Sequence, residues 1–153
     1  MKILIALFAL LAPAAAFAAD NVALDSKVFV ERTATDASGK VQTMLEPPKL
    51  VTPGDRLLFV LTYKNVGAQP ASNFVVTNPI PNAVAYAGTD GIQPVVSVDG
   101  GKSWGPLATL KVKQPDGTLR AAQPGDVTHV RWTLATAIPA GQGGKLSFRG
   151  VVR

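Results

Sequence analysis

Side chains that could do acid–base, nucleophilic or metal chemistry are few in this sequence and lie far apart. The chain has ten acidic residues, a single histidine, His129, and no cysteine. A zinc site needs three or four ligands, usually Cys and His, which one histidine cannot supply. A glycosidase-type carboxylate pair could form only if distant segments met in space. We therefore expect no catalytic residue, no metal ligand set and no bound cofactor.

Three aspartates, Asp90, Asp99 and Asp116, lie in predicted loops, where carboxylate and carbonyl oxygens could bind calcium. Their spacing lacks the D-x-D-x-D pattern of a calcium-binding loop. Solvated turn residues are the favoured interpretation, and calcium binding stays open. The G-x-S-x-G motif of serine hydrolases and the glycine-rich loop that holds phosphates are both absent. The sequence therefore predicts a protein that is not an enzyme.

One short run, SVDGGKSWG at 97–105, resembles the Asp box S-x-D-x-G-x-[ST]-W of sialidases and related sugar-processing enzymes. Their propellers need several four-stranded blades, whereas this chain is short and has one box. In a hairpin turn, Asp99 can accept backbone hydrogen bonds, Gly101 can take a positive φ, and Trp104 can fold its ring over the turn. We interpret the run as a fold staple, meaning a loop whose own side chains hold the turn in place. The alternative is that Trp104 stacks on a sugar ring.

The start of the chain is typical of a secretory signal peptide. Lys2 precedes an apolar run at 3–11, and Ala16-Phe17-Ala18 fits the A-x-A cleavage rule. The apolar run is about half the ~20 residues that a membrane helix needs. We expect cleavage after Ala18 and export to the periplasm, the cell surface or the medium, without a stable membrane span.

The distribution of positive charge along the chain argues against nucleic acid as a partner. Charged residues make up 16% of the chain, and the formal net charge is +5. The lysines and arginines are scattered singly, without the basic cluster and interleaved aromatics of a nucleic-acid interface. Proteins, other copies of the chain, or a surface glycan are the expected partners.

The elements that must hold these residues are strands. Short runs rich in Val, Leu, Thr and aromatic residues alternate with clusters of Gly, Pro, Asn and Asp. In 56–64, the apolar side chains of alternate residues fall on one face, and 127–134 and 145–153 alternate likewise. This pattern predicts an all-β antiparallel sandwich of about seven to nine strands, favoured over a barrel. Shorter strand candidates are 22–33, 40–45, 73–77, 84–87, 95–98 and 107–113.

Turn residues separate these strands. Pro53-Gly54-Asp55 and Pro124-Gly125-Asp126 each place Pro and Gly as a type II turn requires. Gln114-Pro115-Asp116-Gly117 predicts a hairpin whose glycine takes the left-handed position.

Residues 51–81 read VTPGDRLLFVLTYKNVGAQPASNFVVTNPIP. This run resembles the DUF11 conserved repeat, whose members typically read pGd, a strand, N-x-G, and a second strand ending in t-D-p-l-P. IPAGQ at 138–142, before the last strand, is similar to the closing segment of that repeat. The resemblance spans roughly 50–153. It implies an immunoglobulin-like β-sandwich of exported and cell-surface proteins, often in tandem arrays, with no enzymatic activity assigned to the module.

The same residues have a physical interpretation that agrees with the resemblance. Asn65 can cap a turn through its side-chain amide, while Pro79 and Pro81 force an extended corner. Asn78 stands where the family usually has Asp, which weakens the case for a carboxylate metal site at this corner. We find one copy of the module in this sequence, where many members of the family have several, and we therefore do not expect a passive spacer or stalk role.

We thus expect a signal peptide at 1–18, N-terminal strands or an extended arm at 19–48, and a DUF11-like sandwich at 49–153. The leading functional hypothesis is an exported, non-enzymatic structural or interaction module, such as a cell-surface or filament subunit. An unpaired edge strand could accept a strand from a neighbouring molecule. The alternative is a carbohydrate-binding or adhesive module that uses Trp104 as the stacking residue.

Overall fold

The computed structural model describes residues 21–153, so the expected signal peptide and its cleavage site at Ala18 lie outside the described part. Strands make up nearly all of the regular structure, with two short 3-10 helices at Leu107–Thr109 and Pro124–Asp126. In chain order the strands are β1 (Val22–Thr35), β2 (Val41–Glu46), β3 (Arg56–Asn65), β4 (Val75–Pro79), β5 (Val84–Tyr86), β6 (Val95–Ser97), β7 (Lys111–Lys113), β8 (Leu119–Ala121), β9 (His129–Thr133) and β10 (Gly143–Val152).

The strands form three antiparallel sheets. A five-stranded sheet has the order β2-β1-β3-β10-β5, and a three-stranded sheet has the order β4-β9-β6. The hairpin predicted around residues 114–117 is present, and among the described strands its β7 and β8 pair only with each other. The all-β, antiparallel prediction is therefore confirmed. Residues 21–153 contain ten strands instead of about seven to nine, because this separate ribbon adds two.

One apolar core connects the two larger sheets. The rings of Phe59 and Phe148, on neighbouring strands β3 and β10, are stacked with centroids 4.5 Å apart. Trp132 from β9 reaches Phe148 across the core, with ring centroids 6.2 Å apart. Alternate residues of β3, β9 and β10 point inward as their sequences predict. The buried cluster comprises Val30, Leu57, Phe59, Leu61, Val76, Ile80, Val84, Tyr86, Val96, Val127, Val130, Trp132, Leu146 and Phe148.

Asn65 fixes the corner where β3 ends. Its side chain is fully buried, and its Nδ2 donates hydrogen bonds to the carbonyls of Gln69 and Ile138, each at 2.8 Å. Its Oδ1 accepts a hydrogen bond from the N–H of Gly67 at 2.9 Å. The predicted turn cap at Asn65 is confirmed, and the same amide also connects this corner to the segment before β10.

Glycines allow β10 to lie close against β3. Gly143 pairs with Lys64, and Gly144 pairs with Tyr63. A Cβ atom on Gly143 would collide with the backbone of Tyr63, and one on Gly144 would collide with the ring of the same tyrosine. The ring of Tyr63 therefore occupies the space that a side chain at Gly144 would need.

Two local predictions were wrong. Pro124-Gly125-Asp126 is a 3-10 helix instead of a type II turn, and Gly125 has no positive φ. The Asp126 carboxylate caps this helix by accepting a hydrogen bond from the N–H of Gln123 at 2.8 Å. Leu107–Thr109, the start of a predicted strand, is also a 3-10 helix, and the Pro106 carbonyl accepts the Thr109 N–H. In contrast, Gly54 has the positive φ, 94°, that the other predicted turn requires.

Candidate functional site

The Asp-box-like run forms a compact loop at the end of β6. Val96 and Gly105 bond to each other through their backbones at 2.9 and 3.1 Å, which closes the loop. Gly100 and Gly101 both take positive φ, at 77° and 88°, where a residue with a Cβ would be strained.

The Asp99 carboxylate lies at the centre of this loop. Its Oδ1 accepts hydrogen bonds from the N–H groups of Lys102 and Ser103, at 3.0 and 2.9 Å, and from the Ser97 hydroxyl at 2.7 Å. Its Oδ2 accepts from the Ser103 hydroxyl at 2.6 Å. The hydrogen bonds from Ser103, first from its side chain and then from its backbone, hold the pKa of Asp99 far below its ordinary value. Both carboxylate oxygens are thus bonded within the loop.

Trp104 folds back over the loop and contacts β9. Its indole Nε1 donates to the carbonyl of Gly101 at 3.0 Å. The guanidinium of Arg131 lies 3.7 Å from the centre of the ring, and His129 meets the ring edge-on at 6.2 Å between centroids. Arg131 is held in turn by the hydroxyl of Thr77, at 3.0 Å. A sugar ring would have to displace Arg131 or use the opposite face of the indole.

The structure therefore brings Asp99, Gly101 and Trp104 together in one loop and adds Arg131 and His129 to them. Sequence reasoning did not place these two residues beside Trp104. The available signal was that both occupy alternate, outward-facing positions of β9, but the pairing of β9 with β6 that brings them to the loop involves distant parts of the chain.

A group of ion pairs crosses the outer face of the five-stranded sheet. Glu31, only 9% exposed at its side chain, accepts from Arg149 at 2.8 Å and from Arg56 at 3.4 Å. Arg149 also pairs with Asp90 in the loop after β5. These bonds join β1, β3 and β10 through their side chains, and they too were not foreseen from the sequence.

The other conspicuous feature is the edge of the five-stranded sheet. Residues 22–31 of β1 pair with β3, while residues 30–35 pair with β2 on the opposite side. Within the described residues, 22–29 therefore have a paired strand on one side only. We name 22–29 of β1, together with the outer edge of β2, the open rim.

The hairpin of β1 and β2 extends past the sheet. β3 begins at Arg56, which is opposite Glu31, so no third strand among residues 21–153 lies beside the last residues of β1 or beside β2. All six residues of β2 are exposed, including Val41, Met44 and Leu45, which are 62%, 46% and 49% exposed. On β1, Leu24 is also 49% exposed.

The part of the chain that the structure describes holds no helix long and apolar enough to cross a membrane. No protein-family model, curated protein or solved structure matches this chain. The resemblance to the DUF11 repeat therefore stays a prediction from the motifs quoted above.

Proposed function

We propose that the chain is an exported, non-enzymatic interaction module with an immunoglobulin-like sandwich, which joins protein partners by strand addition at the open rim. The observation that carries this proposal is the long edge of β1 and β2, which pairs with no further strand in the described part of the chain. Export rests on the signal-peptide pattern, and the absence of catalysis rests on the single histidine, the missing cysteines and the dispersed acids. The immunoglobulin-like assignment rests on the DUF11 resemblance.

The rim lacks most of the devices by which proteins protect exposed sheet edges. Such edges are usually short, bulged, interrupted by proline, or lined with charged side chains, especially lysine. Of these devices the 22–29 stretch carries charge, at the exposed Asp25 and Lys27. Here β1 is 14 residues long, it contains no proline, and its register with β3 and β2 runs without a bulge. An edge of this kind offers its backbone N–H and C=O groups to an added strand.

Backbone geometry shows which groups the rim offers. The carbonyl of Asn21 accepts the Val66 N–H on the β3 side, whereas the N–H of Asp36 donates to Lys40 on the β2 side. Residues of an antiparallel strand face their two neighbours alternately. Even-numbered residues of β1 therefore present their N–H and C=O groups to the open side, and odd-numbered residues of β2 do so at its outer edge.

Proline substitutions at these positions test the proposal. Ser26→Pro and Thr43→Pro each remove an outward N–H without breaking a bond inside the sheet, because proline is tolerated at an edge. We expect the native chain from residue 19 onward to associate, by light scattering and electron microscopy. The double variant should lose this association while keeping the thermal midpoint that the native chain has at concentrations too low for association. Ala140→Pro, in an exposed turn before Gly141, is the matched control.

The result that would contradict the proposal is a native chain that stays monomeric at high concentration and takes up no partner strand. Protection of residues 21–48 from protease in that monomer would add to the contradiction, because it would show that this segment is fully engaged within its own domain.

A further inference from the structure

We infer that a second copy of the chain docks on β1, with Ala23–Phe29 paired antiparallel to the same residues of the copy about a two-fold axis at Ser26. The inference rests on the proposed strand addition, and it names the partner and the register.

The backbone supports an axis at an even-numbered residue. Leu24, Ser26 and Val28 face the open side, so each can exchange its N–H and C=O bonds with a facing strand. With the axis at Ser26, Leu24 lies opposite Val28 of the copy, and Ser26 lies opposite its own equivalent. Every outward backbone group in this stretch then meets a partner.

The charged side chains of β1 favour an axis at Ser26 over an axis at either neighbouring residue. Asp25 and Lys27 lie on the outer face, with the Lys27 Nζ 3.7 Å from the Asp25 Oδ2. Their side chains are 65% and 68% exposed, respectively. The axis at Ser26 places Asp25 opposite Lys27 of the copy, and Lys27 opposite Asp25. These positions are non-hydrogen-bonded pairs, where opposite side chains approach most closely. An axis at Asp25 or at Lys27 would instead set like charges against each other.

Apolar contacts fit the same register. Leu24 and Val28 lie on the face that points toward the core, as does the buried Val30. Leu24 is half exposed at the edge of the isolated chain. In the pair it packs against Val28 of the copy, so the contact extends the apolar layer of one sheet into the other.

The surrounding structure limits the contact to this stretch. Glu46 already pairs with Val30, so an added strand ends beside Phe29. A two-fold contact uses the same surface on both partners and closes on itself. We therefore expect a dimer that joins two five-stranded sheets into one, and no filament built on this surface.

Charge exchange is the first test, with the dissociation constant measured by sedimentation at low salt. Asp25→Lys and Lys27→Asp each set like charges opposite one another twice per dimer, so each should weaken dimerisation about tenfold or more. The double variant should recover most of the affinity. An equimolar mixture of the two single variants should form a heterodimer, because every introduced charge then faces its opposite. Unchanged dimerisation in both single variants would overturn the register.

Cysteine cross-linking is the second test. The native chain has no cysteine, so each disulfide must form between the introduced residues. Ser26→Cys should form a disulfide-linked dimer on mild oxidation, since facing residues in a sheet lie within disulfide range. Leu24→Cys alone should not, but a mixture with Val28→Cys should. Equal cross-linking of Leu24→Cys with itself would overturn the inference.

The proline variants separate this inference from the proposed function. Ser26→Pro alone should abolish the dimer, and Thr43→Pro alone should leave it intact. The opposite pattern would overturn the two-fold contact at β1 while leaving strand addition at β2 standing. A native chain that never associates would overturn both.

Discussion

Asn65 shows how a buried polar residue can stabilise the fold through its hydrogen bonds. Both of its amide groups are satisfied, by two carbonyls and one N–H, without solvent. Removing one partner from such a set leaves buried groups unpaired, which costs more than the bond itself contributes. The amide is thus better explained as a structural connection than as a ligand site.

Asn65→Ala should therefore lower the free energy of unfolding by about 2–4 kcal/mol, because two carbonyls and one N–H lose their partner. Urea unfolding of the two proteins measures the difference. Asn78→Ala is the matched control, since that residue is half-buried and, among the described residues, its amide makes one exposed hydrogen bond, to the Pro79 carbonyl. It should change stability by less than about 1 kcal/mol. Equal effects at the two positions would refute the structural role of Asn65.

Trp104 distinguishes the fold staple from a sugar site. Its indole covers the Asp99 loop and stacks under Arg131, so Trp104→Ala should cost about 1–2 kcal/mol of unfolding free energy. Arg131→Ala should reproduce part of that loss. A glycan array of the native chain and both variants supplies the second measurement. Glycan binding that vanishes in Trp104→Ala with stability unchanged would favour the carbohydrate-binding alternative.

The alternation of apolar and polar residues along the sequence correctly predicted three of the strands. β3, β9 and β10 each bury one face, so the hydrophobic period predicts both their type and their inward residues. The 3-10 helix at Pro124–Asp126 could not be predicted this way. Pro-Gly-Asp alone fits two kinds of turn, and the Asp126 side chain that caps this helix through Gln123 also bonds to Arg120 of β8. Side-chain pairs such as Arg131 with Trp104 depend on strand pairings that no local pattern encodes.

The close pairing of β3 with β10 predicts the effect of a small change. Gly143→Ala places a methyl group against the Tyr63 backbone, which cannot move without disturbing the ladder, so we expect a loss of about 1–3 kcal/mol. Gly91→Ala is the control, because a Cβ there meets nothing closer than 3.9 Å. Chemical unfolding of the native chain and of both variants measures the two changes in stability. Equal stability of the two variants would show that the strands separate readily at this point.

The ribbon of β7 and β8 is tied to the neighbouring 3-10 helix by an ion pair. Arg120 donates to both carboxylate oxygens of Asp126, at 2.6 and 2.7 Å. These bonds lower the pKa of Asp126 from 3.8 to about 2. Since the folded pKa lies below the unfolded one, the carboxylate stabilises the fold above about pH 4 and loses this effect as the pH falls toward 2.

Asp126→Asn should therefore reduce stability at pH 7 and flatten the loss of stability between about pH 4 and pH 2. Thermal unfolding across this range measures both effects. Asp116→Asn is a useful comparison, because Asp116 bonds only to its neighbour Thr118 within an exposed turn. An identical acid profile for Asp126→Asn and the native chain would show that the pair contributes nothing to folding.

The two edges of the five-stranded sheet differ in length and in exposure. β5 is a short edge strand with two buried residues, whereas β1 and β2 present a long, exposed and partly apolar edge. The sequence indicated that 19–48 would be strands or an arm, but it could not say how far this segment joins the sheet. That depends on the pairing of β1 with β3, whose residues lie far apart in the chain.

Association at this edge should make the stability of the chain depend on its concentration. A partner that binds only the folded chain stabilises it by mass action, so the thermal midpoint should rise by about 2–4 °C for each tenfold increase in concentration above the dissociation constant. Asp25→Lys should move this dependence to concentrations at least about tenfold higher. It should match the native midpoint at low concentration, because the Asp25 side chain is exposed in the monomer. A native midpoint that is independent of concentration would mean that the edge stays open in solution, since binding at the rim cannot occur without this linkage.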